Sequence, residues 1–335
     1  MQAAIYGLSG PALTDDERDF FRDARPAAYI LFKRNCVDSA QLKALTHSLR
    51  DLSGRDDLPI LIDQEGGRVA RMQPPEWPKF PAAWSFAELY DKAPMSAIEA
   101  EMANARALAL MLREHGVNVD CLPLLDVRRA EADEIIGDRA LGAEPMQVAA
   151  LGRAVLDGFA AAGVVGVVKH IPGHGRALCD SHKELPVVTA SAEELETDLE
   201  PFERLNWAPM GMMAHVVYTA WDKERPASQS PTIVSEIVRG RIDFDGWLMS
   251  DDIGMEALKG GFDERAKGVI DAGCDAVLHC SGKMDEMIAV AGAVPAMTAA
   301  GEERLRQAMV ITGTSDTSSN LEQLIAKRDE LLALA

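Results

Sequence analysis

Short apolar runs alternate with longer amphipathic stretches along this chain, and the alternation repeats seven or eight times. The runs at 3–7, 27–32, 58–62, 117–125, 164–168, 210–214, 247–250 and 276–278 are short and almost unbroken by polar residues, the pattern of strands buried on both faces. Between them lie helical segments. Residues 14–22 open on Thr14 with Glu17 three places later, a capping box. Residues 38–52 carry Leu42, Leu45 and Leu49 at helical spacing, and 97–115 is rich in Ala, Leu, Met and Glu. Residues 145–162 begin with Pro145, which suits a first helical turn. Further helices are expected at 193–205, 232–241 and 264–272, and the remainder reads as helical, with a Ser/Thr-rich break at 312–319 before a last helix at 321–334. Four prolines and Trp77 make 73–81 an ordered surface loop, 126–139 is irregular, and no internal sequence repeat is present.

Strand, loop and helix in repeated succession predict a parallel sheet with helical crossovers. The residues just after the strands are the more telling feature. Asp63, Asp126, Lys169 with His170, His215, Asp251 and His279 each stand at the carboxyl end of an apolar run. In a (β/α)8 barrel those ends converge on one face, where active sites are built. An open doubly wound sheet is the rival, but it binds at one crevice and has no need of polar residues from nearly every strand. Neither G-x-G-x-x-G nor a Walker pattern is present. The expected fold is therefore α/β, a single TIM-type barrel with some irregularity over residues 1–335. Residues 319–335 form its C-terminal helix, and the active site lies at the C-terminal ends of the strands.

Composition narrows the partners. With 335 residues and 47% apolar content a sizeable core is assured. A net charge of −19 repels nucleic acid and anionic membranes, which leaves a small molecule. The N-terminus lacks the basic and apolar regions of a signal peptide, and no run approaches 18 apolar residues, so a cytoplasmic location is expected. Five cysteines without a C-x-x-C pair read as reduced thiols.

The chemistry concentrates in Lys169-His170-Ile171-Pro172-Gly173-His174-Gly175, followed by Asp180-Ser181-His182. Pro172, Gly173 and Gly175 exclude a helix, so a strand hands its polar groups to a loop. Asp180 and His182 are two apart, a spacing that lets a carboxylate orient an imidazole as a general acid and base. Asp251, between Ser250 and Asp252, is either a nucleophile for an electrophilic sugar carbon or a cap for the segment after Gly254; Asp252 fits the cap better. Asp63, Arg71, Arg139, Lys169 and His170 suit the hydroxyl and acyl groups of a neutral polar ligand, although Arg139 also fits a surface ion pair with Asp138 or Glu134. His174 and His215 are ligand or packing groups, and His47 and His115 read as structural. A metal site built on His170, His174, His182, His215 and Asp251 is disfavoured, since no early H-x-H or H-E-x-x-H occurs.

These segments resemble the bacterial β-N-acetylglucosaminidases of glycoside hydrolase family 3. The likeness rests on K-H-x-P-G-H-G with D-S-H, Leu185-Pro186 and Ser250-Asp251-Asp252, on Leu61-Ile62-Asp63-Gln64-Glu65-Gly66-Gly67-Arg68-Val69 with Arg71, and on Asp138-Arg139-Ala140-Leu141-Gly142, in family order from about residue 60 to 255. Two departures stand out: Ile171 replaces a common phenylalanine, and Gly175-Arg176-Ala177-Leu178-Cys179 replaces a common Gly-Asp-Thr segment. The resemblance implies a single-barrel cytoplasmic enzyme, without the second sandwich domain of larger family members, that needs no cofactor. Asp251 would be the nucleophile and His182, oriented by Asp180, the acid and base. Asp63, Arg71, Arg139, Lys169 and His170, with His174 and His215, would hold the sugar. The implied reaction is retaining hydrolysis of terminal non-reducing β-1,4-linked N-acetylglucosamine from peptidoglycan fragments ending in anhydro-N-acetylmuramic acid, with or without peptide, in cell-wall recycling. A phosphorolytic variant, a non-catalytic sugar sensor and a metal-dependent amidohydrolase are the other readings.

Overall fold

The structure, a computed structural model, describes residues 1–181, 183–313 and 320–335. In chain order the elements are β1 (Gln2–Gly7), α1 (Asp15–Ala24), β2 (Pro26–Leu31), α2 (Ser39–Ser53), β3 (Ile60–Ile62), α3 (Trp84–Lys92), α4 (Pro94–Glu114), β4 (Val119–Asp120), α5 (Pro145–Ala161) and β5 (Val165–Ile171). There follow β6 (Val187–Val188), α6 (Ala192–Arg204), β7 (Met210–Met213), β8 (Val217–Tyr218), a π-helical segment Ile233–Arg241, β9 (Trp247–Asp252), α7 (Phe262–Ala272), β10 (Ala276–His279), α8 (Met284–Ala293), α9 (Ala299–Met309) and α10 (Leu321–Leu332). Parallel pairing in the order β1-β2-β3-β4-β5-β7-β9-β10 closes back on β1, so eight strands among the described residues form the expected barrel. The short β6 and β8 pair outside it. No helix among the described residues is long and apolar enough to cross a membrane.

Local signals act as the sequence reads. The Thr14 hydroxyl accepts from the Glu17 amide while the Glu17 carboxylate accepts from the Thr14 amide, and Asp38 caps α2 through the Gln41 amide. Pro145 occupies the first turn of α5. Every residue of β2, β3, β4 and β5 is buried, which is why these strands show no polar alternation.

Four expectations need correction. The strand read over 117–125 is regular only at Val119–Asp120, because Pro123 has no amide to donate; the edge continues irregularly through Val167 N–H to Leu122 O and Leu125 N–H to Lys169 O. Conversely β5 runs on to Ile171, so Lys169 and His170 belong to a strand and not to the following loop. Residues 84–92 form a helix, α3, that the periodicity did not announce, since Ala83 gives it no side-chain cap. The expected C-terminal helix over 319–335 is confined to Leu321–Leu332, and the Ser/Thr-rich break at 314–319 lies outside the described residues.

Candidate active site

Asp63 and Glu65 follow β3 on either side of Gln64, whose buried amide organises their turn. Gln64 N–H donates to Asp120 (3.0 Å), its Oε1 accepts from the amides of Arg71 (2.8 Å) and Met72 (2.9 Å), and its Nε2 donates to Met72 O (2.8 Å). With Gln64 clasped inward, both carboxylates meet the Lys169 ammonium: Nζ is 3.0 Å from Asp63 Oδ1 and 2.7 Å from Glu65 Oε1. Arg71 pairs with the other Asp63 oxygen at 3.1 Å, and Arg139 grips Glu65 with two parallel bonds of 2.8 Å. Arg139 is thus no surface pair with Asp138 or Glu134; Arg68 takes Asp138 instead, at 2.8 Å.

Burial by itself would protonate these carboxyls. At Asp63 it is outweighed by the Lys169 and Arg71 charges, which hold the group well below the usual range. At Glu65 the Arg139 and Lys169 charges overcome burial and bring the value down to about 2. Burial opposes the charge of Lys169 in the same way, and Glu65 and Asp63 reverse it, so the ammonium is held more firmly than usual.

The register of β5 against β7 shifts between Lys169 and Ile171, at the cis Lys169–His170 peptide, and consecutive residues serve neighbouring parts of the mouth. Lys169 reaches Asp63, while His170 Nδ1 lies 2.7 Å from Asp126 Oδ2. Asp126 Oδ1 also accepts the amides of His170 (3.2 Å) and His174 (2.6 Å), tying the start of the Gly173 loop to the end of β5. Burial would raise Asp126, but His170 and His174 lower it to about 2. Burial takes His174 down to about 4, so it is neutral at pH 7; Nε2 is 3.3 Å from Ser181 Oγ, and Nδ1 is buried without a partner.

His215 stands two residues beyond β7. Its Nε2 faces the Asp252 carbonyl at 3.1 Å and must donate, so Nδ1 accepts from the Ser228 hydroxyl at 2.7 Å. Burial lowers its pKa and keeps it neutral. Asp251, near the end of β9, retains some solvent contact while deeply surrounded by protein. Burial pushes its carboxyl up; His170, His215, the Asp252 amide at 2.8 Å and Lys169 together pull it below its ordinary value, and it is ionised at neutrality. Asp252 differs: it accepts from Gly254 N–H (2.9 Å) and Cys280 N–H (3.2 Å), capping the turn after β9, and burial raises its pKa. The capping role thus falls to Asp252.

Asp180 is half-buried on the loop, 3.6 Å from Lys183 Nζ. His182 lies outside the described residues. His115 is buried against Trp77 and Ser39, whereas His47 is exposed beside Asp51. Among the described residues no three His, Cys, Asp or Glu side chains are placed to hold a metal ion. Glu65 escaped the reading of candidates, and Asp126, noted at a strand end, was given no role. Both lay inside segments already singled out, and a carboxylate two residues from Asp63 and one at the end of a strand were the available signals.

A domain model described as "Glycosyl hydrolase family 3 N terminal domain" matches residues 4–310. The beta-hexosaminidase of Bordetella avium (strain 197N) is 38% identical over 282 residues, covering 83% of this chain and 80% of that protein. The beta-hexosaminidase of Xylella fastidiosa (strain M23) is 38% identical over 295 residues, 86% of this chain and 87% of that protein. The crystal structure of NagZ from Neisseria gonorrhoeae in complex with N-trifluoroacetyl-D-glucosamine superposes with a TM-score of 0.86 at 31% identity, covering 100% of this chain and 98% of that one. A barrel whose polar groups gather at one mouth and a family match over nearly its whole length lead to one conclusion: the chain belongs to glycosyl hydrolase family 3 and is a glycoside hydrolase.

Proposed function

We propose that the enzyme is a retaining exo-β-N-acetylglucosaminidase that releases terminal, non-reducing β-1,4-linked N-acetylglucosamine from peptidoglycan fragments in the cytoplasm, as a step of cell-wall recycling. The observation that carries this reading is Asp251, an ionised carboxylate at the barrel mouth beside a neutral His215. The complex of the gonococcal neighbour with N-trifluoroacetyl-D-glucosamine supports the sugar, and the Asp63, Lys169, Arg71, Glu65 and Arg139 network supplies the charged donors and acceptors that suit vicinal hydroxyls.

In the proposed reaction an Asp251 oxygen bonds to the anomeric carbon as the glycosidic C–O bond breaks, and His182, partnered by Asp180, delivers its proton to the leaving oxygen. Water then attacks the glycosyl-aspartate, His182 takes the water proton, and Asp251 departs, so that two inversions give net retention. The test is release of phenol from an aryl β-N-acetylglucosaminide by wild type and Asp251→Asn, with mass spectrometry after treatment with a 2-fluoro or 5-fluoro sugar. Loss of the nucleophile should lower turnover by roughly 10^3-fold or more, with the adduct on Asp251 in the wild type. An inactive wild type, or an adduct on another residue, would overturn the reading.

A further inference from the structure

The loop that leaves β5 is held tightly at its start and returns to the mouth at Ser181. Gly173 has φ +126° and lies against α6, where an added Cβ would stand 3.1 Å from Asp198 Cβ; its carbonyl accepts the Tyr218 hydroxyl at 2.8 Å. Gly175 is pressed on Val127, with room for no side chain, and Ala177 O accepts Asp133 N–H at 2.9 Å. The next residue, Leu178, is 68% exposed. Beyond it the chain returns to the barrel mouth, where Ser181 Oγ meets His174 and Ser181 O accepts Ala257 N–H at 3.3 Å.

Arg176 stands between the two halves. Its Nε donates to Asp198 Oδ2 at 2.6 Å, and one terminal nitrogen donates to Glu194 O at 2.8 Å and Thr197 Oγ1 at 3.3 Å. All three partners are on α6. The Asp198 carboxylate is 1% exposed and its Oδ1 has no hydrogen-bond partner; the second cation near it, Arg129, is 3.9 Å away. A carboxylate so buried is tolerated only with a close cation, and Arg176 is that cation. The helix end that holds Asp198 is itself fixed by the Ser191–Glu194 capping box.

We propose that Arg176 and Asp198 form a clamp that positions the general-acid segment: by pinning the loop to α6 four residues before Asp180, the pair sets where Asp180-Ser181 re-enters the mouth. The inference rests on the glycosidase reading above. Neither residue touches the sugar; each acts through the placement of the acid, in the manner of a supporting contact that preserves near-attack geometry. The exposed Leu178 side of the loop pivots about this point when the clamp is lost.

A general acid matters in proportion to how poor the leaving group is, and that dependence separates positioning from plain stabilisation. The experiment measures kcat and KM for a series of aryl β-N-acetylglucosaminides of graded phenol acidity, with wild type, Arg176→Met, Arg176→Lys and Asp198→Asn. Arg176→Met should lower kcat/KM by about 10–100-fold for the least acidic phenol and by less than about 3-fold for dinitrophenol, which departs unprotonated. KM should change little, and Arg176→Lys should recover part of the loss because it restores the charge without the fork. Asp198→Asn should match Arg176→Met; if it does not fold, the two Arg176 variants decide the matter. An equal loss across the series, or none, overturns the clamp. Wild-type turnover in the same series distinguishes the two readings: with it absent, the glycosidase proposal and the clamp fall together, and with it present the slope judges the clamp alone.

Discussion

Replacing Glu65 with glutamine should destabilise the barrel by about 3–5 kcal/mol, and most of that cost should disappear when Lys169 is replaced by methionine as well. The reasoning starts from charge balance at the mouth, where Asp63, Glu65 and Asp251 face Lys169, Arg71 and Arg139. Three negative groups meet three positive ones. The Lys169–Glu65 separation is 2.7 Å, with both side chains almost wholly buried at 2% and 4% exposure. At an effective dielectric of about 20, unit charges at that distance attract by roughly 6 kcal/mol, most of which offsets their desolvation. Either single change leaves the mouth one charge out of balance, Glu65→Gln by taking the carboxylate from Arg139 as well as from Lys169, whereas the double change restores neutrality. Equilibrium urea unfolding of the four proteins at pH 7 should therefore show a coupling energy of about 2 kcal/mol or more. The pH arm has a definite sign. Glu65 in the folded state has a pKa lowered to about 2 from its ordinary 4.5, so its contribution is present above pH 4.5 and lost as pH falls through 2. Wild type should lose stability faster than Glu65→Gln over that interval. Additive single changes, within about 0.5 kcal/mol, would refute the argument.

Two further outcomes follow from other parts of the barrel. Glu101 of α4 is raised from 4.5 to about 8, chiefly by burial, with Asn104 and the Arg328 charge from α10 countering only in part; a raised folded pKa means stability present below pH 4.5 and lost as pH rises through 8. Relative to Glu101→Gln, wild type should lose roughly 1.4 kcal/mol per pH unit across that window, and parallel stability curves would count against it. Gly175→Ala would set a Cβ 2.0 Å from the Val127 carbonyl oxygen, which is backbone and cannot swing aside. Thermal unfolding should register a cost of about 1–3 kcal/mol with loss of turnover on aryl glycosides, and wild-type behaviour in both assays would show that the loop does not rest on Val127.

The strands were legible because burial on both faces removes polar alternation, and their polar ends were legible because Asp63, His215 and Asp251 interrupt otherwise apolar runs. The exceptions are instructive. Lys169 and His170 look like loop residues by their chemistry, yet they are strand residues buried at 1% and 7% exposure, made acceptable by Asp63 and Glu65 just after β3 and by Asp126 beyond β4. Helix α3 lacks a capping side chain and begins soon after a proline-rich loop, so its start carried no local mark. Arg139 had two acidic neighbours in sequence and chose neither.

By itself the sequence determined the alternation of barrel strands and helices, the barrel class, the net charge and the segments that bring polar groups to the barrel mouth. These follow from burial periodicity, turn chemistry and net charge, all of which act over a few residues or over the chain as a whole. Tertiary structure alone decided the partners: Arg139 with Glu65 across 74 residues, and Lys169 with Asp63 across 106. The physical reason is that barrel closure juxtaposes strand ends far apart in the chain, and a buried charge takes the nearest opposite charge in space, which no local pattern encodes.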